Sequence, residues 1–175
     1  MSATGSRFVT ITEVGTRDGF QAEKEQISVA DKVAVIDALI DAGLRSVEAT
    51  SFVSPRALPQ LADAADVMAQ VQRKPGVKLA VLVPNARGAE RAAAAKADVM
   101  VGFISASESH CKTNLNKTID EAIADFAQVV PIANQWGICM HGGLATAFGC
   151  PFEGDVPISN ILKIVGAYHA HGIRR

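Results

Sequence analysis

Apolar and polar positions follow two rhythms along this chain. Phe8 to Val14 alternates β-branched and polar residues and stops at Gly15, which predicts a strand that hands over to a turn. Across Val29 to Ala42, Val33, Ile36, Leu39 and Ile40 recur at helical spacing, with Gly43 as a left-handed cap. Leu44 to Thr50 reads as a second strand, running out in Glu48-Ala49-Thr50-Ser51. Pro59 to Gln72 predicts a helix with Leu61, Ala65, Met68 and Val71 on one face, stopped by Pro75-Gly76. Val77 to Val83 and Val99 to Ile104 are continuous apolar strands, separated by an alanine-rich helix over Ala86 to Ala97 with Asn85 as its N-cap. Thr118 to Trp136 is a long helix, opened by Thr118 with Asp120-Glu121 near its positive end and closed by Gly137. Ile138 to Met140 starts a fifth strand, and Ile158 to Ala170 forms the next helix, capped at Gly172.

Strand and helix alternate throughout, and the strands are apolar without interruption, so they predict a parallel sheet covered by helices in a single α/β domain over residues 1–175. Ala170-His171-Gly172-Ile173-Arg174 repeats the helix–glycine–strand shape of Asp41-Ala42-Gly43-Leu44-Arg45, so the chain is expected to stop where a sixth strand begins. Two architectures suit five strand–helix units. One is a complete doubly wound five-stranded sheet; the other is a (β/α)8 TIM barrel, typically of about 250 residues, truncated after about five units. Polar residues gather at the carboxyl end of strand after strand: Arg17-Asp18, Glu48 to Ser51, Pro84-Asn85, Ser105 to His110, and His141 with Thr146. A doubly wound sheet concentrates its site at one switch point, whereas a barrel draws on all its upper loops, so the pattern favours the barrel.

Composition narrows the function classes. Of 175 residues, 49% are hydrophobic and the net charge is −1, which suits a globular core and leaves no basic footprint for nucleic acid or an anionic membrane. No apolar run reaches the roughly 18 residues of a membrane span, and Met1 to Arg7 carries no signal-peptide core. Cys111, Cys139 and Cys150 are odd in number and lack C-x-x-C spacing, which predicts free thiols in a reducing cytoplasm. No G-x-G-x-x-G or P-loop follows a strand, so nucleotide chemistry has no support.

The chemistry-bearing stretches are Glu13-Val-Gly-Thr-Arg-Asp-Gly-Phe-Gln21, Val47-Glu-Ala-Thr-Ser-Phe-Val-Ser-Pro55, Leu82-Val-Pro-Asn85, Ser105-Ala-Ser-Glu-Ser-His110 and Gly149-Cys-Pro-Phe-Glu-Gly154. In this order and spacing the chain resembles the 3-hydroxy-3-methylglutaryl-CoA lyase family of metal-dependent TIM-barrel enzymes, over nearly its whole length but only the first five or so of the family's eight units. The resemblance implies that Asp18 is a ligand of a divalent cation, Mg²⁺ or Mn²⁺, and that Arg17 polarises an acyl carbonyl and stabilises an enolate. It implies that Glu48 supports the geometry of the metal site, that Gln21, Ser51 and Phe52 line the substrate pocket with Arg17, and that Glu13 holds Arg17. The implied reaction is retro-Claisen cleavage of a 3-hydroxyacyl-CoA to acetyl-CoA and a keto acid.

Plainer readings stand beside these. Glu48 taken alone is a turn cap, Ser107, Glu108 and His110 are equally an ordinary polar loop, and Cys150 is a packed thiol without a visible activating partner. His169 and His171 are two apart at a helix end, where their side chains diverge, and are read as surface residues rather than metal ligands. The family's Gly-Asp-Thr stretch, histidine pair, amide ligand and catalytic cysteine loop have no counterpart here, so the chain is expected to be catalytically incomplete, with exposed sheet edges that favour self-association. Gly143 stands where family members carry a tyrosine, and Phe20 and Ala22 where they carry Leu and Asn, which leaves room for a larger hydroxyacyl group. The competing functions are a condensing or aldol relative, and a non-catalytic domain that binds an acyl-CoA or assembles with a complementary half.

Overall fold

The structure is a computed structural model that describes residues 9–175. Its centre is a parallel sheet of four strands, β1 (Ser46–Ser51), β2 (Lys78–Leu82), β3 (Val99–Ser105) and β4 (Cys139–Ala145), in the order β1-β2-β3-β4. Each strand pairs with its sequence neighbour, with no strand inserted out of turn. That sequential order is an open arc of a β/α barrel, not a doubly wound sheet, which reverses its order at a switch point.

The helices are α1 (Phe20–Ala22), α2 (Val29–Asp41), α3 (Ala64–Gln70), α4 (Ala86–Ala94), α5 (Glu108–Leu115), α6 (Ile119–Gln135) and α7 (Ile158–Ala170). Alternate strand residues Val47, Leu79, Val81, Met100, Ile104 and Met140 are buried in the helix-covered core with Ile36, Phe126 and Ile164. Burial of each such side chain contributes about 1.5–3 kcal/mol. The other face of the strands, with Leu82, Val101, Phe103, Gly143 and Ala145, looks into the concave side of the arc. No helix among the described residues is long and apolar enough to cross a membrane.

Local chemistry fixes several ends. Thr118 and Glu121 form a reciprocal capping box at the start of α6, and Asn85 Oδ1 accepts from Gly88 N at 3.0 Å at the start of α4. Lys32 is buried between α2 and α3, where Asp63 takes its ammonium at 2.7 Å and the Gln60 carbonyl completes its bonding. Where β3 and β4 run side by side, Gly102 pairs in register with Gly142. A Cβ on Gly102 would stand 2.7 Å from the Phe126 ring, and one on Gly142 would stand 2.7 Å from the Tyr168 ring. Those rings lie 4.6 Å apart between centroids, so two bare strand positions admit an aromatic pair from α6 and α7.

The structure departs from the pattern in three places. The first strand is reduced to one parallel bridge, Glu13 with Val47. Phe8 lies outside the described residues, and Val9 and Ile11 are 81% and 70% exposed. With β1 as its only described neighbour, this segment finds no cover for its apolar side chains, and the ladder does not extend. The helix expected over Pro59 to Gln72 is split into a 3₁₀ turn, Pro59–Leu61, and α3. The polar stretch after β3 becomes α5, capped by Ser107 and closed by Asn116 in the left-handed region at φ 55°. After α7, the Gly142 N–H of β4 donates to the Arg175 carbonyl at 2.8 Å.

His141 in β4 is half-buried, and desolvation, with the positive charge of Arg175 second, lowers its imidazole pKa below the ordinary 6.5. The unfolded imidazole binds a proton near 6.5 and the native one only at lower pH, so below about pH 6.5 the unfolded state holds more protons. Stability is therefore expected to be steady above that value and to fall as pH drops beneath it. Urea midpoints at pH 7.5 and 5.5 for the wild type and His141→Gln check this: the substitution should remove that part of the acid loss, and equal losses would refute it.

Candidate active site

Glu13-Val-Gly-Thr-Arg-Asp-Gly folds into a single π-helical turn, Gly15–Gly19, that runs directly into α1. Arg17 N and Asp18 N both donate to the Val14 carbonyl, at 2.9 and 2.7 Å. Neither glycine of this turn adopts a positive φ. At Gly15 the backbone is approached by a side chain instead: Glu13 Oε1 accepts from Gly15 N at 2.6 Å. The turn is pinned to β1 by the buried Thr16, whose hydroxyl donates to the Glu48 carbonyl at 2.9 Å. The place of Thr16 between the glycine and the arginine carries no periodic or charge signal in the sequence.

Arg17 is clasped from two sides. Its Nε donates to Glu48 Oε1 at 2.6 Å and its Nη1 to Asp18 Oδ1 at 2.7 Å. Glu48 is buried at the end of β1, Arg17 is largely covered, and the Asp18 side chain is 66% exposed. The residue that holds Arg17 is thus Glu48 and not Glu13, whose carboxylate is spent on the Gly15 amide. Both Arg17 contacts are charge-assisted, and the inner one is shielded from water, so the guanidinium has a fixed direction.

Arg17, Asp18, Gln21 and Glu48 line one cavity of about 710 Å³ on the concave side of the sheet. Its floor is Leu82, Val101, Phe103, Gly143 and Ala145, and its rim includes Asn85 and, from α5, Asn114 and Leu115. Gly143 supplies bare backbone to this floor; a Cβ there would stand 3.1 Å from Phe103 Cβ. The structure does not bring Ser51 and Phe52 to this cavity. Ser51 is buried, and its Oγ accepts from Val53 N at 3.3 Å. Phe52 turns beneath α4, where Arg91 lies over its ring at 5.3 Å. The bulge in β1 between Glu48 and Thr50 shifts the strand's alternation just after Glu48. Asn114 and Leu115 reach the rim because the polar stretch after β3 continues as α5, for which Ser107 as an N-cap is the signal in the sequence.

The remaining polar candidates are occupied structurally. Ser107 Oγ accepts from His110 N at 3.1 Å, Glu108 Oε2 accepts from Ile119 N at 3.1 Å, and Ser105 Oγ meets His110 Nδ1 at 2.7 Å. Cys150 is buried with Ser107 Oγ 3.0 Å from its sulfur. Burial raises that thiol, but hydrogen bonds from Ser107 and from the Phe152 and Glu153 backbone outweigh it and leave the pKa below the ordinary value. His169 and His171 are exposed at the end of α7, and all three cysteines are free.

For a divalent cation the donor set is thin. Asp18 offers an exposed carboxylate with one oxygen engaged by Arg17. Among the described residues, no three His, Cys, Asp or Glu side chains gather closely enough to hold a metal ion. These residues supply one hard ligand and not a complete site.

A family model described as HMGL-like matches residues 8–175. The mitochondrial hydroxymethylglutaryl-CoA lyase of Bos taurus is 41% identical over 164 residues, which are 94% of this chain and 50% of that protein. The crystal structure of the Bacillus subtilis HMG-CoA lyase superposes with a TM-score of 0.91 at 42% identity, covering 94% of this chain and 55% of the other. An HMG-CoA lyase from Acinetobacter baumannii, solved in complex with coenzyme A and 3-methylmalate, gives a TM-score of 0.89 at 35% identity, covering 94% and 53%. The chain thus spans about half the length of the curated relatives it matches.

Proposed function

The chain belongs to the HMGL-like family, and from that membership we propose that it carries the enolate-stabilising half of a hydroxymethylglutaryl-CoA lyase-like site. The observation that carries this reading is the clasped Arg17, aimed by Glu48 within a cavity that Asp18 and Gln21 share. In retro-Claisen cleavage a base removes the proton of a tertiary hydroxyl, the oxygen's electrons form a ketone, and the carbon–carbon bond breaks toward the thioester carbonyl. The electron pair then rests on the thioester oxygen as an enolate, which takes up a proton to leave acetyl-CoA. In this reading Arg17 holds that oxygen, because a preorganised guanidinium stabilises charge that develops in the transition state. Both cavity carboxylates contact Arg17, so neither is assigned the proton removal.

Asp18 would contribute one oxygen toward Mg²⁺ or Mn²⁺, and such a cation, when bound, would supply a second positive charge to the reaction. Gln21 offers an amide to the acyl group from the first turn of α1. The bare backbone at Gly143 favours an acyl chain with some bulk on that side. Three free cysteines suit a reducing cytoplasm. With one ligand present, the 175-residue chain alone is proposed to be inactive.

The test is a chimera in which residues 9–175 replace the matching half of the Bacillus subtilis lyase. With Mg²⁺ it is expected to cleave hydroxymethylglutaryl-CoA, while the isolated chain does not. A folded chimera without turnover would sink the proposal.

A further inference from the structure

The amides at the start of α5 are met by two different parts of the chain. Ser107 caps the helix from its own end, its Oγ accepting from His110 N at 3.1 Å. The amide of Ser109 donates instead to Glu153 Oε1 at 2.6 Å, across 44 positions of sequence. Glu153 lies in the loop between β4 and α7. A carboxylate there satisfies an amide that the helix itself leaves without a partner, and it places negative charge at the positive end of α5. Hydrogen bonds from Ser109 hold the Glu153 carboxyl below its ordinary value, so the group is ionised at neutral pH.

The loop that carries Glu153 is itself closed. Cys150 and Gly154 exchange two backbone hydrogen bonds, at 2.7 and 2.8 Å, which leaves Glu153 inside a small ring. Three further contacts fasten the segment before α5 to its neighbours. Ala106 N donates to the Ala145 carbonyl at 2.9 Å, Ser107 Oγ meets Cys150 Sγ at 3.0 Å, and Asn160 Nδ2 donates to the Ala106 carbonyl at 3.0 Å. The first turn of α5 is thus tied to the loop after β4, while its last residues, Asn114 and Leu115, stand on the rim of the Arg17 cavity. A helix of 8 residues is about 12 Å long, so a tilt at its first turn displaces its last residues.

We propose that Glu153 is a positioning residue: by holding the first turn of α5 it sets where Asn114 and Leu115 stand at the rim, and so how tightly the acyl thioester is held before reaction. The proposal rests on the lyase reading above. Glu153 does not line the cavity, so its effect travels through the helix and bears on binding more than on the carbon–carbon cleavage.

Hydrogen–deuterium exchange of the 175-residue chain at pH 7 reads the tie directly, and kinetics of the chimera read its consequence. Glu153→Ala should speed exchange across residues 108–116 about tenfold, the scale of a lost charged hydrogen bond, with α2 and α6 unaffected. Glu153→Gln keeps an acceptor for the Ser109 amide and should act more weakly in the same segment. In the chimera, Glu153→Ala should raise KM for hydroxymethylglutaryl-CoA about threefold with a smaller change in kcat, the signature of lost ground-state binding. A purely structural role would instead lower kcat through loss of folded enzyme and leave KM alone. Exchange in α5 that ignores both substitutions, or that rises throughout the chain, would overturn the tie, while turnover by the unsubstituted chimera keeps the lyase reading. Faster α5 exchange with an unchanged KM would overturn the positioning role. An unsubstituted chimera without turnover would overturn the lyase reading, and the role in ligand binding with it.

Discussion

Replacing Arg17 by Gln in the chimera is expected to slow turnover about 10³-fold, because a fixed cation opposite a developing oxyanion is among the largest single contributions a site makes. That factor corresponds to about 4 kcal/mol of transition-state stabilisation. The loss should fall on kcat, since the charge forms only as the carbon–carbon bond breaks. Glu48→Gln keeps an acceptor for Arg17 Nε and removes the charge that aims it, so its loss is smaller, about tenfold or somewhat more. Steady-state kinetics on the two variants decide between roles. Equal small losses would make Arg17 a structural residue of the turn, and a loss confined to KM would make it a binding group.

Tyr168→Ala is expected to destabilise the chain by about 3–5 kcal/mol, the range for truncating a large aromatic in a core. Tyr168 is buried, packs at a tilt on Phe126, and donates its hydroxyl to the Gly143 carbonyl at 2.7 Å. Burial pushes that hydroxyl's pKa well above the ordinary phenol value, so it remains a donor. Because domains are stable by only about 5–15 kcal/mol, such a loss takes away a large share of the total. Tyr168→Phe removes the hydrogen bond alone and should cost about 1 kcal/mol. Urea unfolding of the three proteins separates packing from hydrogen bonding; equal effects of Ala and Phe would show that the ring itself contributes little.

The parallel sheet was legible because Leu79 to Val83 and Val99 to Ile104 are apolar on both faces, which only a covered strand tolerates. The starts of α4 and α6 were legible because Asn85 and Thr118 are cap chemistry, readable without tertiary context. Arg17, Asp18 and Glu48 share a cavity because strand ends of one sheet converge, and the alternation of elements implies that much. The reach of the first strand was not legible, since whether Val9 and Ile11 gain cover depends on neighbours and not on their own pattern. The direction of Phe52 was hidden by a bulge, which shifts side-chain alternation without leaving a mark in hydrophobicity. The partner of Arg17 is not legible in the sequence because Glu13 is nearer in sequence and Glu48 nearer in space.

The facing glycines of β3 and β4 also limit how this sequence can drift. Any side chain acquired at Gly102 or Gly142 requires a smaller partner at Phe126 or Tyr168, because each ring occupies the volume a Cβ would need. The four positions are thus tied as two exchangeable pairs, glycine with aromatic or larger residue with smaller. Among homologues, a bulkier residue on the strand should be found together with a trimmed one on the helix, and ancestral reconstructions that change one member of a pair without the other should misfold.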